Sequence, residues 1–556
     1  MKAVTNEVKT DILVMGAGLA GCWAAIRAKQ LGADVVLADK GYVGRIGVSK
    51  FASSHIRTYF PEDDHEDAIK EIVSGGDYLN DQRWTEIAVR EIFDRVKDMD
   101  SFGVKFEKEN GRFKRVPSKG RINASVVFNS AQMMMAMRKA IKDMGIRILD
   151  RLFIHDLLTK DGRTIGAVGI DTRNGNLYEI YCPAVILAAG ACTLRSIFHG
   201  HQFSTGDAYG MAYRAGATFM NMECIQHNTC ARDFNTSGMG HWVGSGGKFI
   251  NSRGEAFMAR YHELKDRANL TWIARAMATE VKEGRGPIYF DFSGVSLENL
   301  ESARKSMPWA ILALIRAGID VTKDRVEWVP AFLGSCGAAS GIKINTFGET
   351  DLPGLYATGD AGAMLALGMG AGFGGFNLTY CIVFGNRAGE GAFNFITATK
   401  PKQVEKASSN KLKEIGETVY APLTVTDGLS SDSVLYEIQK TIFPYEISIL
   451  KSEDRLKMAL NKVQDLKKNL LQKMIAPDIH ELIKVHETAN MVLYAEMFLR
   501  ASLLRTESRG MHYREDYPQK DNKNWLRWTH LRRVDDEMRL FSETLPNEAF
   551  CHFSVR

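Results

Sequence analysis

Asp11-Ile12-Leu13-Val14-Met15-Gly16-Ala17-Gly18-Leu19-Ala20-Gly21 sets how this chain begins to fold. An apolar run of strand length enters a Gly-x-Gly-x-x-Gly loop, and a helix-forming stretch, Cys22 to Gln30, follows. A second apolar strand, Asp34 to Ala38, ends on Asp39, with Lys40 next. Each part has a physical task in a strand–helix–strand nucleotide site. Gly16 lets the chain turn tightly. Gly18 removes a side chain so that a pyrophosphate approaches the backbone. Gly21 brings helix and strand close together. The unpaired N–H groups of the helix N-terminus face the phosphates, and Asp39 stands where an acid accepts from a ribose hydroxyl. The pattern predicts a bound ADP-containing cofactor.

The bulk numbers bound the rest. At 556 residues the chain is long enough for several domains, and 45% hydrophobic with 25% charged residues is ordinary globular composition. A net charge of +5 gives no basis for nucleic-acid binding. The amino terminus is polar and no run approaches a membrane span, so neither a signal peptide nor a direct span is expected. The eight cysteines, at 22, 182, 192, 224, 230, 336, 381 and 551, never form Cys-x-x-Cys. No zinc or iron–sulfur site is expected in the chain itself, and scattered cysteines suggest a reducing cytoplasm. If electrons leave through a cluster, that cluster belongs to a partner.

Further pieces of a nucleotide fold recur downstream. Leu177 to Tyr181 alternates like a strand after the hairpin signal Asn174-Gly175. Ala184 to Gly190 reads as a buried strand ending in small residues, including Ala189 and Gly190, and Thr205-Gly206-Asp207 opens another helix. Gly354 to Asp360 is a short strand ending in Thr358-Gly359-Asp360. Gly368 to Asn377, including Gly375, is a glycine- and alanine-rich loop that lets backbone lie close to a flat ring, and a helix follows it. Mixed strands and helices fill 223–340. From about 403 lysine and glutamate rise and helical periodicity dominates, as in Asp478 to Leu504 after Pro477.

At Arg505-Thr506-Glu507-Ser508-Arg509-Gly510-Met511-His512-Tyr513-Arg514-Glu515-Asp516-Tyr517-Pro518 the chain resembles the flavoprotein subunits of succinate dehydrogenase and fumarate reductase, a superfamily that also holds L-aspartate oxidase and adenylylsulfate reductase alpha subunits. Asn251 to Met258, Glu283 to Tyr289, Ala188 to Gly190 and Thr205 to Asp207 fit the same pattern in order. The resemblance implies an α/β fold: a Rossmann-like FAD-binding domain (1–222 and 341–402), an inserted α+β capping domain (223–340) and a C-terminal helical domain (403–556). It implies a hydride exchanged between flavin and a substrate carbon beneath the cap. FAD would be held by Gly16, Gly18, Gly21, Asp39, Lys40, Ala189, Gly190, Asp207, Gly359, Asp360, Gly375 and Asn377. Arg509, His512 and Arg514 would dock the helical domain.

The departures from that pattern are informative. Many members attach FAD through a histidine in Arg-Ser-His-Thr; here Arg45-Ile46-Gly47-Val48-Ser49-Lys50 puts Gly47 in its place, and His55 lies too far along. Non-covalent FAD is expected. The dicarboxylate enzymes carry an Arg-Gly-Glu-Gly-Gly segment at the substrate, where this chain has Val243-Gly244-Ser245-Gly246-Gly247. Cys336 takes a histidine slot, and Gly372 takes the slot of a carboxylate-binding arginine. A buried carboxylate without cationic partners is costly, so succinate or fumarate is not the expected substrate.

Candidate catalytic residues are His227, next to the position of a family histidine; Arg275, on a helix predicted over Leu270 to Lys282; and His241, beside the changed segment. Trp242 fits either substrate stacking or core packing, and Cys336 either a reactive thiol or inert packing. The expected function is an FAD-dependent oxidoreductase acting on a non-dicarboxylate small molecule. It would exchange electrons with an iron–sulfur or ferredoxin-like partner. An adenylylsulfate reductase-type subunit and an electron-transfer subunit of a larger complex stand as alternatives.

Overall fold

The computed structural model describes residues 4–52, 54–116, 125–234, 236, 239–321, 323–370, 374–399 and 405–553. Its centre is a five-stranded parallel sheet in the order Leu355–Ala357, Ala184–Leu187, Ile12–Met15, Val35–Asp39, Arg147–Asp150. Ile12 to Val14, Val35 to Ala38 and Ala184 to Leu187 are at most 1% exposed, as continuous apolar strands covered on both faces should be. The register pairs Leu187 with Met15 and with Ala357, and Met15 with Ala38. These four strands therefore end at one edge, and the loops that follow them converge where open parallel sheets bind ligands.

The helix Leu19–Gln30 packs on the long helix Phe376–Thr399 through small residues. A Cβ at Gly385 would stand 2.6 Å from the Ala20 carbonyl oxygen, and one at Gly389 would stand 2.3 Å from that of Ala24. Glycines four apart thus make one groove along the long helix, and they explain why a glycine-containing stretch is kept in a helix interior despite its propensity cost. A second sheet, Thr5–Lys9, Leu177–Tyr181, Arg163–Asp171 and Leu152–Lys160, lies beside the first.

The segment 223–340 builds its own four-stranded sheet, in the order Gln226–Ala231, Arg325–Gly334, Tyr289–Asp291, Lys248–Ile250, with the helix Leu270–Lys282 against it. Trp242, Phe249, Phe290, Phe292 and Trp328 fill a separate apolar core there. Beyond 405 the chain is helical through Ile479–Leu504, whose N-cap Asp478 accepts from the Glu481 N–H at 2.9 Å. The region expected as a helical domain, 403–556, also carries strands. Arg527–Val534 and Glu537–Thr544 form a hairpin that adds to Phe219–Met220. The burial alternation of Glu537–Thr544 is that of an edge strand with one face in water, a pattern easily hidden by its many charges. Among the described residues no helix is long and apolar enough to cross a membrane.

Candidate functional site

A cleft of about 790 Å³, counted to its open mouth, runs along the carboxyl edge of the parallel sheet. Gly16, Gly18, Asp39, Lys40, Ala189, Gly190, Asp207, Gly359 and Asp360 all line it, although they come from five separate stretches of sequence. Gly16 has φ +96°, which an L side chain rarely adopts, and a Cβ on Gly21 would lie 1.9 Å from the Gly16 carbonyl oxygen. The Asp39 carboxylate accepts from the N–H groups of Ala17 and Gly41, both at 2.8 Å, and burial pushes its pKa up. Ser49 Oγ accepts from the Leu19 N–H at 3.1 Å, so the hydroxyl two residues beyond Gly47 sits on the N-terminus of the first helix.

Next to Asp39 in the chain, Lys40 Nζ donates to Asp207 at 2.8 Å and to Glu487 at 2.6 Å, and Arg195 also pairs with Glu487. These carboxylates lift the Lys40 pKa against the opposing effect of its burial. Leu152, Phe153 and Ile154 add an apolar wall. A glycine-rich phosphate loop, an acid at the second strand, an apolar wall and small residues at the strand ends suit an elongated dinucleotide with a flat ring.

Three expected cofactor residues do not line this cleft. Gly21 serves helix–strand packing. Gly375, at φ +79°, packs on the backbone of His55 and Arg57. Asn377 is half-buried, and a Cβ on Gly337 would meet its Nδ2 at 2.0 Å and Gln226 Oε1 at 2.8 Å. Gly337 N–H and Cys336 Sγ donate to the Asp360 carboxylate at 2.9 and 3.3 Å. Cys336 is buried, and desolvation with the Asp360 charge holds its thiol well above the ordinary pKa, so it is a packed donor and not a thiolate.

Gln226, which a Cβ on Gly337 would meet, also lines a second, smaller cleft of about 320 Å³, counted to its open mouth. His227 and Arg275, far apart in the chain, both face it. The Arg275 guanidinium lies 4.1 Å from the Tyr513 ring centroid and 5.0 Å from that of Trp272, and its Nη2 donates to the Gly510 carbonyl at 3.1 Å. Burial lowers its pKa. His227 is pushed down to about 3, chiefly by desolvation and then by the charge of Lys451, so its imidazole is neutral. Leu270, Thr271, Ile449 and Met511 also line it. Nothing in the chain singles these four out beyond their place on the Arg275 helix, in the Arg505–Pro518 stretch or, for Ile449, in no motif at all.

The other expectations resolve differently. His241 falls in the helix Met239–Gly244, and its side chain lies outside the described residues, as does Gly372. Trp242 and Val243 are buried in the apolar core of the 223–340 segment, with the Trp242 ring edge-on to Phe292 at 5.4 Å. Neither lines the second cleft. Arg509 and Arg514 join a buried network. Arg505 pairs with Glu223 at 2.6 Å and with Glu507 at 2.9 Å, Arg509 pairs with Glu507 at 2.8 Å and donates to the Asp77 carbonyl, and Arg514 pairs with Asp516. His512 Nδ1 stands 3.1 Å from Lys451 Nζ.

Residues 11–378 match the family described as "FAD binding domain", and residues 437–552 match "Fumarate reductase flavoprotein C-term". A subunit of the fumarate reductase (CoM/CoB) of Methanothermobacter marburgensis is 28% identical over 94% of this chain and 97% of its own length. An uncharacterised FAD-dependent oxidoreductase of Methanocaldococcus jannaschii is 31% identical over 92% of this chain and 94% of its own. Among solved structures, a point mutant of the E. coli quinol fumarate reductase FrdA superposes with a TM-score of 0.87 at 21% identity, covering 97% of each chain. The chain belongs to the fumarate reductase/succinate dehydrogenase flavoprotein family and is an FAD-dependent oxidoreductase.

Proposed function

We propose that this flavoprotein holds FAD without a covalent bond, acts on a small molecule other than a dicarboxylate, and exchanges electrons with an iron–sulfur or ferredoxin-like protein in the cytoplasm. Bound FAD supplies two-electron hydride exchange with a substrate carbon. Gly16, Gly18 and the helix N-terminus would hold its pyrophosphate, Asp39 a ribose, and Asp360 the part nearest Gly337. The stretch Ile46 to Ser49, where a tethering histidine would be expected, lines the cofactor cleft and offers only Ile46, Gly47, Val48 and Ser49. The same reading makes 1–222 and 341–402 the cofactor domain, 223–340 the cap and 403–556 the C-terminal domain.

The observation that carries the substrate reading is the second cleft. Among its described lining residues Arg275 is the one cation, and His227 beside it is neutral. Two carboxylates of a C4 diacid would find one partner between them. The relative named a fumarate reductase makes fumarate the substrate to test first. The protein is reduced anaerobically to bleach its flavin, then mixed with fumarate. The flavin is expected to stay reduced, and rapid return of its absorbance would overturn the non-dicarboxylate reading. Oxidised protein is mixed with sulfite and AMP; a spectral change beyond that of sulfite alone would favour an adenylylsulfate reductase-type enzyme instead.

A further inference from the structure

The second cleft has more unsatisfied polar groups than a packed interior tolerates. Gln226 Oε1, His227 Nε2, Thr271 Oγ1 and Arg275 Nε are buried and have no hydrogen-bond partner among the described residues. All four residues line the same cleft. A buried polar group left unpaired carries its full desolvation cost, and native interiors hold few of them. Four converging on one small cavity describe a surface complementary to a polar ligand.

The rest of the wall defines what else the ligand carries. Ile225, Leu270, Ala274, Ile449 and Met511 are apolar. Lys451, whose charge reaches His227, is committed elsewhere, donating to the Glu223 carbonyl at 3.2 Å and lying 3.1 Å from His512 Nδ1. Arg275 is flanked by Tyr513 and Trp272 and anchored by the Gly510 carbonyl, so its planar fork is fixed before a ligand arrives. One fixed guanidinium among neutral donors and acceptors matches one carboxylate. A second carboxylate would lie against the aliphatic wall without a counter-ion, at a desolvation cost that nothing there offsets.

We propose that this cleft binds a monocarboxylate with a short apolar body: Arg275 pairs with the carboxylate, Thr271 and Gln226 hydrogen-bond to its polar end, and the carbon chain lies on Leu270, Ile449 and Met511. This rests on the flavoprotein reading above and narrows its substrate class.

Crotonate, fumarate and crotonamide share a four-carbon skeleton and carry one, two and no negative charges. Each is titrated into the FAD-loaded protein and followed by calorimetry and by flavin absorbance. Crotonate is expected to bind at least about tenfold tighter than either of the others, as one charge-assisted pair predicts. Arg275→Gln is expected to bring crotonate and crotonamide within about threefold of each other while FAD content stays at the wild-type level. Arg275→Lys should keep part of the preference and shows that the pocket still folds. Equal or tighter binding of fumarate, equal binding of crotonamide, an unchanged preference in Arg275→Gln, or no binding of any probe would overturn the proposal. FAD content and anaerobic bleaching are read on the same samples: if both are normal while the preference fails, the substrate class falls and the flavoprotein reading stands.

Discussion

Lys451 is 0% exposed, and its ammonium faces a carbonyl, an imidazole and, at 4.9 Å, the Phe498 ring. Burial brings its pKa down to about 7. Glu223 and Cys224 oppose the fall, while Arg505 and Arg514 add to it. Between about pH 7 and the ordinary lysine value, the unfolded chain binds a proton that the folded one does not, so stability from this residue rises with pH across that window. Below pH 7 both states hold the proton and the dependence vanishes. The urea midpoint of wild-type protein relative to Lys451→Met should therefore climb between about pH 7.5 and 9.5, by on the order of 2 kcal/mol in stability. A difference that stays flat over that range would contradict the assignment. The same residue shows a limit of reading the chain alone. His512 belongs to a recognisable motif, but its partner Lys451 lies 61 positions earlier, in a stretch with no motif at all. His227 and Arg275 are legible one at a time from their motif neighbourhoods, whereas their shared cleft follows from how the helix Leu270–Lys282 packs on the strand Gln226–Ala231.

At the level of elements, local chemistry is the better guide. The helix Leu270–Lys282 and the strand Leu177–Tyr181 run between the residues their periodicity implies, and the Asn174-Gly175 signal does join two antiparallel strands. The hairpin at 527–544 stays hidden because charged residues on its water-facing side mask the alternation on the other. The glycine groove of Phe376–Thr399 is likewise invisible, since nothing in the chain says which helix fills it. That groove makes a direct test. A methyl on Gly389 would stand 2.3 Å from the Ala24 carbonyl oxygen, and a backbone atom cannot step aside as a flexible side chain can. Gly389→Ala should cost about 1–3 kcal/mol despite alanine's better helix propensity, read from the denaturant midpoint at an unchanged m-value. A stabilised variant would mean the two helices sit further apart than described.

Across the whole molecule, the C-terminal region is tied to the rest by charge buried among charge. Glu223, Arg505 and Glu507 have fully buried side chains, and Thr529 of the terminal hairpin also donates to Glu223 at 2.7 Å. Removing one partner leaves the others buried and unpaired, so Glu223→Gln should destabilise the protein by about 3–5 kcal/mol, seen as a lowered thermal midpoint. If its midpoint matches wild type, the network is not what joins these regions. The same long-range assembly governs function. Separate stretches of sequence meet at the carboxyl edge of one parallel sheet, with Gly16, Asp39 and Gly47 all lining the cleft. The proposed function has FAD occupying that cleft without a covalent tether. Purified protein precipitated with acid and centrifuged should release about one FAD per chain into the supernatant, leaving a colourless pellet. Flavin retained in the pellet would contradict the non-covalent reading, and a preparation that holds no flavin after incubation with FAD would contradict the cofactor site itself.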